Sequence, residues 1–425
     1  MRLLDFFWIT LIASILSACS DRPNAPQSSP ELHQGHWRAT LTNASGKAVP
    51  FNFVIQTLGG DVKQMLILTP SIGQPTDTLI VDEWITKGDT AYTFLMPVFD
   101  ARIEATLQAD GQLRGQYRSF SDGNERVLDF AAVPKQEFLF DPAPKPEGDV
   151  SGRWAVQFAH AGKTNDAIGV FAQADGQVTG TFLTKTGDYR FLAGQLNGQQ
   201  LSLSAFDGEH IFLFEATLGD QNQLTDGHFY SGKGYHATWT ATRNDTVQLP
   251  DPEKLTLLKD DATRLDFRLP DLRGDTVSLR DFAGRPVLLQ ILGSWCPNCM
   301  DETRFLVDFY RRNRAAGGDL EIIGLAFERT ANDMSKAQAR VRRMQERFEI
   351  PYPLLIAGLT ADKTAAAAAL PQLEAIVSYP TTIFINREGE VVKIHTGFSG
   401  PATGDAYTEW MKDFEQTIAQ LQALP

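Results

Sequence analysis

Two thiols three residues apart, Cys296 and Cys299, are the side chains best equipped for chemistry in this chain. They sit in Trp295-Cys296-Pro297-Asn298-Cys299, directly after the apolar run Val287-Leu288-Leu289-Gln290-Ile291-Leu292-Gly293. That run reads as a buried strand. Met300 to Arg314 then carries Phe305, Leu306, Phe309 and Tyr310 at helical spacing, which places the pair on a strand-to-helix turn. At or beside the helix N-terminus, Cys296 meets unpaired N–H groups and the positive end of the macrodipole, and both favour a thiolate. Cys299 falls one turn later on the same face, within reach of a disulfide. Pro297 suits the first turn, because it has no N–H to leave without a partner. The chemistry this pattern permits is reversible thiol–disulfide exchange.

Two plainer readings of the pair fare worse. A structural zinc site wants four ligands. The only other cysteine is Cys19, and the only histidine after residue 250 is His395, so no metal is expected. An inert bridge is also a poor use of so tight a loop at a helix start.

The elements that must hold this site belong to a chain of 425 residues, long enough for about three domains. Its 43% hydrophobic and 10% aromatic content is ample for real cores. A formal net charge of −13 argues against nucleic acid or an anionic membrane surface as a partner. After Arg2, the stretch Leu3 to Leu16 is mostly apolar, with Asp5 interrupting it, and has the form of a secretory signal. It ends Leu16-Ser17-Ala18-Cys19, which resembles the bacterial lipobox. That resemblance implies cleavage before Cys19 and a lipid on its sulfur; the alternative is an ordinary signal cleaved near Ala18. Ser20, where such lipoproteins carry Asp for inner-membrane retention, implies sorting to an outer membrane. With Cys19 lipidated, the exported chain keeps only the two thiols of the motif, in a compartment that would permit structural disulfides.

Ser20 to about His33 is rich in Pro, Ser, Asn and Gln and reads as a flexible tether. Short alternating runs broken by glycines follow, such as Phe51-Asn52-Phe53-Val54-Ile55, and read as β-strands. Asp141 to Gly148 reads as a linker, after which the same texture resumes from Gly152 to about Arg243. The two stretches look like copies. Gly35-His36-Trp37 matches Gly152-Arg153-Trp154 near each start, and Glu104-Ala105-Thr106-Leu107 matches Glu215-Ala216-Thr217-Leu218 near each end. Each is about a hundred residues, a length suited to a small antiparallel barrel or sandwich, lipocalin-like in scale. Barrel geometry leaves room for a ligand in one of them. The histidines at 36, 160, 210, 228 and 236 are scattered and show no metal-ligand spacing.

Past Asp261 come the lead-in Leu279-Arg280-Asp281-Phe282-Ala283-Gly284-Arg285-Pro286, the motif strand and helix, and the buried run Leu320 to Phe327. A helix marked by Val341, Met344 and Phe348 follows, then Ser378-Tyr379-Pro380-Thr381-Thr382 before the strand Ile383-Phe384-Ile385. Trp410, Phe414, Ile418 and Leu421 mark a closing amphipathic helix. This order resembles the thioredoxin superfamily, and more narrowly the exported, membrane-attached thiol–disulfide oxidoreductases of the TlpA and ResA kind. The fold expected is therefore multidomain: two all-β antiparallel barrel- or sandwich-like repeats followed by an α/β thioredoxin-like domain. The boundaries are a signal peptide at 1–18, a tether at 19–34, repeats at 35–134 and 151–244, linkers at 135–150 and 245–260, and the thioredoxin-like domain at 261–425.

The resemblance implies a role for each matching residue. Cys296 attacks, Cys299 resolves, Trp295 shields the pair, and Pro380 is cis and edges a docking groove with Pro297 and Tyr379. Glu328, after the run Ile322 to Phe327, stands where relatives of the ResA kind keep a carboxylate close to the thiols to tune them and pass protons. Tyr379 is bulkier than the residue usual before that proline, and Thr360 to Ser378 is longer than a minimal thioredoxin, with an added helix expected near the groove.

The function implied is an enzyme, a protein disulfide oxidoreductase working as a reductase on exported proteins. Its only redox group is the Cys296–Cys299 pair, with no other cofactor. Its partners are protein thiol and disulfide clients and a membrane or periplasmic electron donor. Two alternatives stay open: a redox-sensing or partner-binding lipoprotein without turnover, and a thiol peroxidase. The peroxidase motif needs Thr or Ser three residues before its cysteine, where this chain has Gly293.

Overall fold

From Gly35 onward side chains alternate between interior and surface, the period of a strand. Nine such runs follow: β1 (Gly35–Thr42), β2 (Ala48–Thr57), β3 (Lys63–Thr69), β4 (Asp77–Val81), β5 (Glu83–Lys87), β6 (Ala91–Leu95), β7 (Ala101–Leu107), β8 (Leu113–Ser119) and β9 (Arg126–Pro134). The computed structural model describes residues 31–423 apart from 60–61, 74–75, 121–123, 143–144, 221, 331 and 361. The expected signal and the lipid site at Cys19 lie outside the described residues. Neighbouring strands pair antiparallel, and β1 also pairs with β9. β4 and β5 are separated by Asp82 alone, so they run on as one bent strand, its first half paired with β3 and its second with β6. The meander therefore closes into a barrel.

The second repeat does the same with β10 (Gly152–His160), β11 (Lys163–Ala174), β12 (Gln177–Thr184), β13 (Gly187–Asp188), β14 (Leu192–Asn197), β15 (Gln200–Phe206), β16 (Ile211–Gly219), β17 (Gln223–Ser231) and β18 (Tyr235–Arg243). Here β10 pairs with both β11 and β18, and β11 pairs with β12, which closes the ring. The likeness between the repeats reaches single bonds. Trp37 and Trp154 each donate their indole N–H to the carbonyl four residues back, at 3.0 Å to His33 and 2.8 Å to Val150. Gly35 and Gly152, two residues before each tryptophan, enter the barrel at φ of 112° and 104°, a backbone region that glycine occupies without strain.

Among the described residues, large side chains occupy both interiors where a lipocalin-like barrel would hold the expected ligand. In the first, Trp37 and Phe53 stack at 5.7 Å between centroids, and both are fully buried. In the second, Phe182 and Phe214 lie 4.6 Å apart, and Phe214 stacks on Phe229 at 4.2 Å with 5° between planes. A ring of eight strands is only wide enough for its own side chains when those are this large. Three of the scattered histidines come together: β17 and β18 are neighbours, so His228 Nδ1 lies 3.0 Å from His236 Nε2, and His160 bonds the His236 carbonyl at 2.7 Å.

Both expected linkers are docked straps. In the first, Leu139 and Asp141 carbonyls accept from Arg38 and Gln195. In the second, Thr256 is fully buried, and its hydroxyl accepts from Thr396 at 2.9 Å.

The last domain opens with the hairpin β19 (Arg268–Pro270) and β20 (Thr276–Ser278). There follow β21 (Val287–Leu292), α1 (Pro297–Ala315), β22 (Glu321–Phe327), α2 (Met334–Arg347), β23 (Leu354–Gly358), α3 (Lys363–Ala367), β24 (Thr381–Ile385), β25 (Val391–Thr396) and α4 (Asp405–Ala423). The sheet order is β23-β22-β21-β24-β25, with the first three strands parallel and the last two antiparallel to their neighbours. β21 and β22 are buried at every position, which is why they read as continuous apolar runs. α4 lays Trp410, Phe414, Ile418 and Leu421 inward, and Phe414 meets Phe305 and Phe309 of α1 edge-on at 5.0 Å each. Among the described residues no helix is long and apolar enough to cross a membrane.

Replacing Phe214 by Ala should remove the centre of the second barrel's ring column and lower stability by about 3–5 kcal/mol. Urea unfolding followed by tryptophan fluorescence reads this; a loss below about 1 kcal/mol would mean that the column does not support the barrel.

Candidate active site

The apolar run β21 ends at Leu292, and four residues later Cys296 caps the N-terminus of α1. The first N–H groups of a helix have no partner within it. Here the Cys299 N–H points at Cys296 Sγ at 3.3 Å, while the Cys296 carbonyl already accepts from Met300 N–H. Pro297 takes the first helical position, and both cysteines are free thiols. Cys296 is 7% exposed and Cys299 is fully buried. Burial, then the hydrogen bond and the charge interaction with Cys296, push the Cys299 thiol well above its ordinary range.

Trp295 turns back over the strand end. Its indole N–H donates to the Phe327 carbonyl at 2.9 Å, its ring meets Tyr379 edge-on at 5.4 Å, and the Arg329 guanidinium lies 3.4 Å over its centroid. A Cβ on Gly293 would fall 2.3 Å from the indole nitrogen, so the residue under the ring has to be glycine. The Tyr379–Pro380 bond is cis, and the Tyr379 carbonyl lies 3.6 Å from Cys296 Sγ. The sequence-expected groove residues Trp295, Pro297, Tyr379 and Pro380 therefore all gather around Cys296.

Glu328 follows β22 and is completely buried. Its carboxylate accepts the Ser294 N–H at 2.8 Å and the Ser294 hydroxyl at 2.7 Å, so its hydrogen bonds reach the loop two residues before Cys296. Burial raises its pKa, against the opposing pull of those bonds and of Arg340 and Arg329.

A second buried carboxylate escapes a reading of the sequence. Glu302 lies one turn after Cys299 on the inward face of α1 and is fully buried. It accepts from Gln290 Nε2 at 2.8 Å and Thr382 Oγ1 at 2.6 Å. Burial pushes it up to about 7, and its charge in turn raises Cys299. The available signal was an acidic residue three positions after Cys299 and four before Leu306, on a face that must be buried.

Also illegible beforehand is a buried cluster beside the motif. Arg190, from the second barrel, grips Asp301 of α1 through two bonds at 2.6 and 3.0 Å. It also donates to Asp207 at 2.8 Å and approaches Asp77 of the first barrel at 3.4 Å. Asp301 takes a further bond from Arg304 at 3.1 Å.

Residues 259–408 match the family described as Redoxin, and the match begins past both barrels. Over 135 residues the chain is 32% identical to the thiol-disulfide oxidoreductase ResA of Halalkalibacterium halodurans, covering 31% of this chain and 66% of that protein. It is 27% identical over 134 residues to the thioredoxin-like protein YneN of Bacillus subtilis, covering 31% of this chain and 68% of that one. A solved thiol:disulfide interchange protein of the thioredoxin family from Chlorobium tepidum aligns at 18% identity with a TM-score of 0.29, covering 38% of this chain and 97% of that one.

Glu302 sets a pH dependence of known sign. A carboxyl raised in the folded state contributes stability that is complete below its unfolded value and is lost as pH rises through the folded one. For Glu302 that window runs from the ordinary 4.5 to about 7. Glu302→Gln should remove the loss, so the variant should gain on the parent between pH 4 and pH 8 by up to about 3 kcal/mol. Denaturant unfolding at the two pH values measures it, and a constant difference would place the carboxyl in a wet environment.

Proposed function

We propose that this chain, whose residues 259–408 form a thioredoxin-like domain of the ResA kind, is a thiol–disulfide oxidoreductase that reduces disulfides in exported proteins. The observation that carries the reading is the Cys299 N–H at the start of α1 aimed at Cys296 Sγ at 3.3 Å, with the Cys299 side chain fully buried beneath it. An attacking sulfur and a resolving thiol are thereby told apart by their surroundings.

The exchange proceeds in two displacements. The Cys296 thiolate attacks one sulfur of a client disulfide; the other client sulfur leaves as a thiolate and takes up a proton. Cys299 gives up its proton and attacks Cys296, releasing the second client thiol and leaving the Cys296–Cys299 disulfide. Two electrons pass from the pair to the client. The pair is the only redox group needed, and a membrane or periplasmic electron donor returns it to the dithiol. Glu328, bonded to the loop that carries Cys296, tunes that thiolate through Ser294 and takes part in proton transfer. Trp295, Pro297, Tyr379 and Pro380 line the client groove.

The leader supports an exported lipoprotein held through a lipid on Cys19, facing the periplasm from the outer membrane. Changing Cys19 to Ala should move the protein from the membrane to the soluble fraction of the cell envelope.

One observation favours a second reading. With Cys296 only 7% exposed, the thiols could report redox state to a partner without turnover. Reduction of insulin by dithiothreitol separates the two: catalysis by the parent, lost in Cys296→Ser, supports the enzyme, and no turnover supports the sensor. Cys299→Ser should accumulate mixed disulfides on Cys296, whose clients mass spectrometry identifies. Glu328→Gln should displace the pH profile of Cys296 alkylation; an unchanged profile removes Glu328 from the mechanism.

A further inference from the structure

The second barrel does not stop beside the thiols. Its loop between β12 and β14 reaches across the face where a client has to dock. Five consecutive residues take part, and each meets the thiol domain or anchors the loop. The Thr186 carbonyl accepts the Ser378 hydroxyl at 2.7 Å, one residue before Tyr379. Gly187 lies so close to Asn298 that a Cβ would fall 3.0 Å from its side-chain nitrogen. The Asp188 carbonyl accepts from Asn298 Nδ2 at 3.0 Å, and its carboxylate accepts Gly400 N–H at 2.7 Å. Tyr189 points the other way, its ring wedged 5.4 Å from Phe214 and 5.2 Å from Phe229 in the barrel interior. Arg190 closes the run with its paired bonds to Asp301.

Thr186, Gly187, Asp188 and Arg190 thus all meet the thiol domain, while Tyr189 roots the loop in the barrel. Asn298 lies between the two cysteines and Ser378 beside the cis peptide, so the loop occupies the rim of the Cys296 groove on both sides. Gly397 shows how close the fit is: a Cβ there would lie 2.8 Å from the Thr186 backbone. The bonds this loop makes to the thiol domain are polar or to backbone, the character of contacts that open and close.

We propose that residues 184–190 form a built-in latch that stands in the place of a client's extended segment and keeps Cys296 closed to polypeptides at rest. The latch rests on the thiol–disulfide reading of the site. A client is an extended stretch able to replace the loop on Ser378 and Asn298. Small disulfides need no such displacement. Arg190 is the bolt, because its two bonds to Asp301 tie the loop's end to the helix that carries the thiols. It is a positioning residue and touches neither sulfur.

The test uses the full chain carrying Cys19→Ala and Cys299→Ser, so that Cys296 is the one thiol left to react. Arg190→Met removes the bolt, and Gly187→Phe forces the loop tip off Asn298 without touching the buried charges. Thermal unfolding establishes that each is folded. The rate of Cys296 modification by a maleimide carrying a polyethylene glycol chain should rise at least tenfold in a folded variant, and that by iodoacetamide much less. Rates with the bulky reagent within twofold of the parent would overturn the latch. A second measurement needs no loop variant: hydrogen exchange of the chain with insulin trapped on Cys296. Faster exchange at Gly187 to Arg190 than in the free protein supports displacement, and unchanged protection overturns it. Should the opened variants take maleimide faster yet form no mixed disulfide with insulin or oxidised glutathione, the oxidoreductase reading fails and the latch stands.

Discussion

The start of α1 leaves a backbone N–H without a partner, and the structure gives it the sulfur of Cys296. The rest of the site follows from keeping that arrangement in place. β21 delivers the chain to the turn from a fully buried position, Pro297 begins the helix without a competing donor, and Trp295 covers the turn by lying on Gly293. The carbonyl of Tyr379 then faces the same sulfur from across the groove. Removing water from this corner strengthens each of these polar contacts, since fields in a low-dielectric interior are less screened.

Burial also makes acidic groups expensive, and three of them beside the thiols settle that expense in different ways. Glu328 is held by two donors from Ser294, which work against its desolvation without cancelling it. Glu302 has neutral donors, Gln290 and Thr382, and burial raises its carboxyl to about 7 against them. Asp301 has two guanidinium groups, Arg190 and Arg304. Burial raises a carboxyl that has neutral donors only, as at Glu302. The helix that carries the thiols thus has an ion-paired carboxylate and one bonded to neutral donors on adjacent residues.

The first barrel meets both of the other parts. Towards the second barrel it presents an apolar contact, with Phe51 packed 4.5 Å from Phe206 and Tyr117 edge-on to the same ring. Towards the thiol domain it offers acceptors to one stripe of α2: Arg340 reaches Asp100 at 2.7 Å and Arg347 reaches Asp82 at 2.7 Å, two turns apart. The second barrel is in this way held over the thiols by a neighbour, and its own contact with them remains polar.

The chain by itself determined the local parts. A largely apolar run before the motif, helical spacing after it and period-two alternation in the repeats are set by which side chains must leave water, and they specify strand, helix and strand without reference to the rest. The place of Cys296 at a helix start was legible for the same reason, whereas the attacking and resolving roles expected of Cys296 and Cys299 came from the resemblance. Glu328 was found at a strand end, but that it bonds Ser294 was not, because the bond joins residues 34 positions apart. Only the tertiary structure decided what crosses between parts: the filled barrels, the docked straps, the meeting of His160, His228 and His236, and the grip of Arg190 on Asp301, 111 positions away. Such pairs depend on how closed sheets face one another, and nothing in the local pattern of either partner records the other.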